Sequence, residues 1–243
     1  MLNNFLEKYS SEINGIIHVG AHTGQEVSAY SKYKNKIILF EPQRNIYKEL
    51  LKNTKKEEHI ECYNIALGSK NEKRKLYKSE GNKGLSSSVL TPELHLKVQP
   101  NISFKNFEEI EVKRFDSLNI ETLNFLTLDV QGFELEVLKG FGKKLSDIEF
   151  IFTEINTKFL YKNNALVSDL DEYLKDYNFI RVFTNIDCFN YFGDALYIKK
   201  TNNNFEKKYL KKIINIINIS NYYLNLKKLQ HPRKLIKKVL RKF

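Results

Sequence analysis

The hydrophobic pattern changes period repeatedly over the first 200 residues, and each change marks an expected element. Residues 2–12 alternate apolar and polar groups at helical spacing and predict a short leading helix. Ile16-Ile17-His18-Val19 is a strand-like run that halts at Gly20, followed by a helical pattern from Gln25 to Tyr33. Lys36–Glu41 predicts a second strand, and Pro42 suits the first turn of a helix carrying Ile46, Tyr47, Leu50 and Leu51 on one face as far as Asn53. Further strands are expected at Ile60–Ile65, Glu109–Arg114, Asn124–Asp129, Ile148–Ile155, Phe179–Thr184 and Ala195–Ile198. Leu135–Phe141 reads as an amphipathic helix stopped by Gly140 and Gly142, and Ser168 or Asp169 caps another that runs to Tyr177.

From Ser69 to Asn106 the pattern differs. Charged and apolar residues alternate over Lys73–Lys78, and a polar, glycine-containing loop follows through Gly84 to Ser88, which predicts an inserted hairpin or flap. Elsewhere strands and helices alternate, so the expected fold is α/β, with a mostly parallel sheet covered on both faces. Spacing leaves the strand order open.

At 243 residues the chain holds one sizeable domain with a real core. Two cysteines, Cys62 and Cys188, are too few for a disulfide scaffold or a cysteine zinc site. The chain has neither a secretory leader pattern nor an apolar run long enough to span a bilayer, so a cytosolic compartment is expected. The net charge of +11 is local: residues 201–243 carry twelve Lys/Arg and one acid, Glu206, and the remaining residues are neutral overall. Within that tail Leu235, Ile236, Val239, Leu240 and Phe243 recur at helical spacing opposite lysines and arginines, a basic amphipathic helix. Its expected roles are docking on the domain or on another subunit, or attachment to an anionic membrane surface or acidic glycan precursor. Nucleic acid is not expected, because no recognition motif accompanies the charge.

In an open parallel sheet, ligands lie beyond the carboxyl ends of the strands, near the switch in strand order. The polar residues at those ends are His22, Thr23, Glu41, Asn64, Asp129 and Glu154. Gly20 and Gly24 permit a tight turn and close approach of a ligand. Glu41 lies 21 residues after Gly20, the spacing at which a carboxylate accepts hydrogen bonds from ribose hydroxyls, although it equally suits a solvated strand end. Asp129 closes an apolar strand, so its carboxylate needs partners or solvent. Glu134 sits in a helix's first turn, where the dipole alone accounts for it. His18 reads as a satisfied interior histidine.

The blocks VGAHTGQE, LFEP, NIALG and LDVQGFELEVLKG resemble the FkbM family of S-adenosylmethionine-dependent methyltransferases over about Ile13 to Lys200. The resemblance implies a class I methyltransferase fold, Rossmann-like, with a seven-stranded mostly parallel sheet and an antiparallel finish. It implies S-adenosylmethionine as cofactor and methyl transfer to an oxygen of a sugar, glycan or natural product. By position, Gly20, His22, Thr23 and Gly24 would surround the cofactor's methionine part, Glu41 its ribose, and Asn64, Ile65 and Ala66 its adenine. Asp129 would stand next to the transferring methyl and contact the cofactor, with Gln131 and Glu134 behind it, and Gly84–Ser88 would close over the site. Asp129, then Glu154 and Glu134, are the candidate bases for a hydroxyl acceptor. The family often carries an acid where this chain has His18, so either a neighbouring acid compensates or cofactor affinity is altered. A divalent ion held by these oxygens is a minority expectation, and the spacing establishes no metal. The domain is expected over residues 1–203, with 69–106 inserted and 204–243 as the tail. An inactive methyltransferase-like binding module and a nicotinamide-dependent oxidoreductase are the competing readings, the latter lacking a tight Gly-x-Gly-x-x-Gly and a second dinucleotide unit.

Overall fold

The computed structural model describes residues 2–30, 35–187 and 189–200. The basic tail helix, Cys188 and the far end of the helix expected to reach Tyr33 therefore lie outside the described residues. In chain order the elements are α1 (Leu2–Tyr9), β1 (Gly15–Val19), α2 (Val27–Tyr30), β2 (Lys36–Phe40), α3 (Arg44–Thr54), β3 (Ile60–Tyr63), β4 (Ala66–Leu67) and β5 (Glu72–Glu80). They continue with α4 (His95–Val98), β6 (Ser103–Lys113), β7 (Phe125–Leu128), α5 (Glu134–Phe141), β8 (Phe150–Asn156), α6 (Val167–Lys175), β9 (Phe179–Asp187) and β10 (Phe192–Lys199).

The main sheet has seven strands in the order β3-β2-β1-β7-β8-β10-β9. All neighbours run parallel except β10, which is antiparallel to both β8 and β9. The chain leaves β1 in opposite directions, toward β2 and β3 on one side and β7 and β8 on the other. The switch in strand order thus falls between the ends of β1 and β7, at Gly20 and Asp129. Glu109–Arg114, expected as a separate strand, is instead largely the end of β6, which pairs antiparallel with β5; the hairpin's return leg therefore extends beyond Asn106. β4 joins it in parallel, making a second sheet of three strands. α6 begins at Val167, where the Asp169 carboxylate accepts the Leu166 backbone N–H at 2.7 Å, so Asp169 caps from inside the first turn.

Strand periodicity divides the core between two faces. Ile17, Val19, Ile38, Phe40, Leu126, Leu128, Ile151 and Ile155 bury one face together with Val137, Leu138 and Phe141 of α5 and Leu170 and Leu174 of α6. On the other face Phe5 of α1 packs on Phe125 and Phe150, with ring centroids 5.8 and 5.6 Å away. His18, Thr127 and Phe152 share that second face as register partners on β1, β7 and β8. Among the described residues, no helix is long and apolar enough to cross a membrane.

Candidate active site

Two loops meet at the switch point so closely that only glycine fits between them. Gly20 has φ +87°, and a Cβ there would lie 1.8 Å from the Asp129 carbonyl oxygen. The crossing is fixed by backbone hydrogen bonds, Gly20 and Ala21 N–H to the Phe40 carbonyl and Asp129 N–H to the Val19 carbonyl. β1, β2 and β7 thereby end in one rigid rim.

Glu41 sits in that rim, 3% exposed. Its carboxylate accepts the backbone N–H of His22 at 3.0 Å and of Gln43 at 2.8 Å. Burial pushes its pKa up to about 7, against the pull of those two donors. Glu41 lines a narrow cavity of about 70 Å³ with Val19, Gly20, His22, Ala66, Leu67 and Phe133 on its walls. The flap residues Gly84, Leu85, Ser87 and Ser88 cover it. The cover is tied down at several points. Lys83 carbonyl lies 3.0 Å from His22 Nε2, Ser87 Oγ donates to Gln43 Oε1 at 3.2 Å, and Ser88 Oγ donates to the Gln131 carbonyl at 2.8 Å. Tyr161 holds it from the far side, its hydroxyl shared between the Ser86 carbonyl at 2.9 Å and Gln131 Oε1 at 3.1 Å.

A second, larger cavity of about 300 Å³ opens on the face of the sheet that α1 covers. Its walls include His18, Glu26, Thr127, Asp129, Glu154 and Asp194. Asp129 lines both cavities. It is open to water on the cavity side yet ringed by protein, so desolvation raises its pKa and the Glu26 charge adds to the rise. The Gln131 amide opposes this, donating to Asp129 Oδ1 at 2.7 Å and to Glu154 Oε2 at 2.9 Å. Glu154 is held well above the usual carboxylate range by burial and by Asp129, Glu134 and Asp194. Asp194, its register partner on β10, is pushed up to about 6 by burial and Asp129. His18 is the reverse case. Burial lowers its pKa to about 4, so it is neutral, and its Nδ1 lies 3.2 Å from the Tyr30 hydroxyl.

The structure therefore brings Gly20, His22, Glu41, Ala66 and Asp129 around the first cavity and Asp129 with Glu154 around the second. It turns other candidates elsewhere. Glu134, 1% exposed, spends Oε1 on the N–H groups of Val130 and Gly132, so it shapes the loop after β7 instead of facing a cavity. Asn64 donates to the carbonyls of Glu41 and Pro42 and staples the turn after β2. Ile65 packs against the core. Thr23 accepts from Asn53 through its carbonyl, and Gly24, at φ +81°, makes room for Leu50 of α3. Sequence reasoning missed Glu26, Gln43, Thr127, Tyr161 and Asp194. Asp194 had a usable signal, because a last strand running antiparallel brings its starting end, not its finish, to this rim. Among the described residues, no group of three His, Cys, Asp or Glu side chains is placed to hold a metal ion.

The strand order, the reversed β10 and the rim at the β1/β7 switch define a class I methyltransferase fold. The model of the methyltransferase FkbM domain matches residues 18–181, and the chain belongs to that family. No curated protein sequence matches it. Among solved structures it is similar to an FkbM methyltransferase from Methylobacillus flagellatus KT, at 14% identity and TM-score 0.51, covering 76% of this chain and 43% of that one. The chain thus spans less than half the length of that relative. It is also similar to magnesium protoporphyrin IX methyltransferase from Synechocystis PCC 6803, solved with bound SAM, at 9% identity and TM-score 0.49, covering 82% of this chain and 76% of that one. Fibrillarin from Aeropyrum pernix, solved with bound S-adenosyl-L-methionine, follows at 12% identity and TM-score 0.44, covering 76% and 66%.

Proposed function

We propose that the chain transfers a methyl group from S-adenosylmethionine to an oxygen of a sugar, glycan or natural-product hydroxyl. The observation that carries this reading is the placement of Asp129 on both cavities, between buried Glu41 and the acid-lined space. The residues fit the cofactor's chemistry. Glu41 keeps acceptor capacity for ribose hydroxyls, Ala66, Leu67 and Phe133 offer apolar walls to a purine, and the carboxylates of the second cavity suit a cationic sulfonium. S-adenosylmethionine supplies an electrophilic methyl when bound.

The chain's own part is alignment and proton removal. Gly20 and Asp129 hold the rim rigid, and orientation of this kind contributes several kcal/mol. A hydroxyl is a poor nucleophile, and the raised pKa of Asp129 makes its carboxylate a better base near neutral pH. Glu154, joined to Asp129 through the Gln131 amide, fixes the orientation of the Asp129 carboxylate as the proton arrives. Entry of a nucleoside requires the flap to lift, because about 70 Å³ is well below an ordinary ligand pocket of roughly 300–1,000 Å³. The contacts that must part include those of His22 and Gln43 with Lys83 and Ser87, of Ser88 with the Gln131 carbonyl and of Tyr161 with the Ser86 carbonyl.

Titration calorimetry with S-adenosylmethionine, S-adenosylhomocysteine and NAD tests the cofactor. Binding of the first two, abolished by Glu41→Ala, is expected; binding of NAD alone overturns the reading. Mass spectrometry of a sugar and natural-product acceptor panel then reads the methylated atom, and methylation confined to nitrogen or carbon removes the oxygen assignment.

A further inference from the structure

Gln131 lines the covered cavity, and the flap reaches it at two points. Its backbone has φ +54°, a left-handed conformation that a residue with a side chain keeps only where its surroundings fix it. The Ser88 hydroxyl donates to its carbonyl at 2.8 Å, and the Tyr161 hydroxyl stands between its amide oxygen and the Ser86 carbonyl. Only one orientation of the amide satisfies its neighbours. With Oε1 toward Tyr161, Nε2 donates to Asp129 and Glu154; the reverse would set Oε1 against two carboxylate oxygens. Flap, Tyr161, Gln131 and the candidate base thus form one unbroken chain of hydrogen bonds.

Tyr161 is the link with a choice to make. A phenol has one proton, and here it meets two acceptors, the Ser86 carbonyl at 2.9 Å and Gln131 Oε1 at 3.1 Å. With the flap down, the shorter contact gives Ser86 the larger share. The ring is fixed in place. Tyr161 is buried, packs against His95 and Phe104 with ring centroids 5.2 and 6.5 Å away, and donates its backbone N–H to Asn164 Oδ1 at 2.9 Å. When the flap lifts to admit a nucleoside, the Ser86 carbonyl leaves and the hydroxyl stays. A bound nucleoside keeps the flap off its present seat, because about 70 Å³ cannot hold one. The phenol proton then turns to Gln131 Oε1, which polarises the amide and strengthens both Nε2 bonds. Those bonds favour the ionised forms of Asp129 and Glu154.

We propose that Tyr161 is a positioning residue for methyl transfer: it relays the lifting of the flap through Gln131, so that Asp129 is oriented and ionised once the cofactor has entered. The inference rests on the methyl-transfer reading above. A carboxylate that is to take the acceptor's proton must itself be unprotonated. In the free protein burial and neighbouring charge work against that at Asp129 and Glu154. The charged and titratable groups around the pair come from several elements. Glu26 and His22 belong to the loop between β1 and α2, Tyr30 to α2, Glu134 to α5 and Asp194 to β10, and Glu41 follows β2. Removing the Tyr161 hydroxyl leaves all of them in place, so that substitution isolates the relay.

The test titrates full-length protein with S-adenosylhomocysteine by calorimetry at pH 5.5 and pH 8. Strengthening two charged hydrogen bonds by about 10–30% each corresponds to roughly threefold in an equilibrium constant. The affinity gained between pH 5.5 and pH 8 is therefore expected to be roughly threefold larger for wild type than for Tyr161→Phe. In a Gln131→Met background Tyr161→Phe should leave that gain unchanged, because no amide remains to carry the effect. Gln131→Met alone should show the same reduced gain, an independent check if the phenylalanine variant does not fold. A purely structural role shifts affinity equally at both pH values, so an equal gain in wild type and Tyr161→Phe overturns the proposal. A difference that persists without the amide overturns the route through Gln131. If wild type binds no S-adenosylhomocysteine at either pH, the methyl-transfer reading fails. Urea unfolding then decides the link from Tyr161 to the acids, and a loss from Tyr161→Phe no larger at pH 8 than at pH 5.5 overturns it.

Discussion

Gln131→Met removes the one amide that separates Asp129 from Glu154 while nearly keeping the side chain's length. The native amide makes two hydrogen bonds to carboxylates, at 2.7 and 2.9 Å. Hydrogen bonds to charged groups contribute about 1.5–3 kcal/mol each, and because Gln131 is only half-buried the lower end applies, giving a loss of about 3 kcal/mol. For a domain of this size that corresponds to a fall of roughly 6–12 °C in the thermal midpoint, at about 2–4 °C per kcal/mol. The variant also leaves two acids facing each other without a donor, so one takes up a proton and the pair relaxes. The destabilisation should therefore be full at pH 8 and clearly smaller at pH 5.5. Urea unfolding of both proteins at the two pH values, with the slope checked for constancy, measures it. A loss below about 1 kcal/mol at pH 8, or an equal loss at both pH values, refutes the idea that this amide manages the charge of the rim.

Gly20→Ala places a Cβ 1.8 Å from the Asp129 carbonyl oxygen at a φ of +87°, so a stability loss of at least ~3 kcal/mol and a displaced Asp129 are expected. Urea unfolding and S-adenosylhomocysteine titration check it, and a native-like variant with wild-type affinity counts against the close crossing. Tyr161→Phe removes the hydroxyl between Ser86 and Gln131 and should cost about 1 kcal/mol, with faster hydrogen exchange over residues 81–88 as the readout. Stability of the ligand-free protein should fall as pH rises from about 4.5 through about 7, because Glu41 and Glu134 bind protons more tightly folded than unfolded, and Asp194, at about 6, adds to the trend. His18 opposes it between about 4 and 6.5, since the folded state keeps it neutral, but one histidine faces three carboxylates. The thermal midpoint should be higher at pH 5.5 than at pH 8, and Glu134→Gln, which preserves the acceptor for Val130 and Gly132, should flatten the difference.

The alternation of apolar runs and glycine turns made the main sheet legible, because buried parallel strands announce themselves as short unbroken runs ending in a polar residue. Gly20, Glu41 and Asp129 could be found for the same reason, since each follows the last residue of a strand at the rim, and Glu154 lies two residues inside the end of β8. What the pattern could not carry is direction. Glu134 and Asn64 have the residue type and approximate position of site residues, yet their side chains are spent on backbone groups of their own turns, and only three-dimensional hydrogen bonding distinguishes the two uses. Gly24 looked like a companion of Gly20 but serves Leu50 packing. Tyr161 and Gln43 reach the flap across long separations in sequence, which no local spacing encodes. Strand order was equally silent until pairing placed β7 beside β1.

His18 remains the departure that most needed the structure. A buried neutral histidine where the family resemblance leads us to expect an acid would leave the cofactor's cationic end without a counter-charge if position 18 acted alone. It does not act alone. Glu26 and Asp129 line the same cavity, so negative charge is present beside His18 instead of at it. His18→Asp should accordingly add a fifth carboxylate where charge is already in excess, at a site 3% exposed. The cost is about 3 kcal/mol at pH 8, partly offset by a hydrogen bond from Tyr30, and it should shrink at pH 5.5 as the new acid takes a proton. S-adenosylhomocysteine affinity should stay within about twofold of the parent, since RT ln 2 is only about 0.4 kcal/mol. Calorimetry and thermal unfolding together decide the matter. Tenfold tighter binding with no loss of stability means that the neighbouring acids do not replace the missing charge.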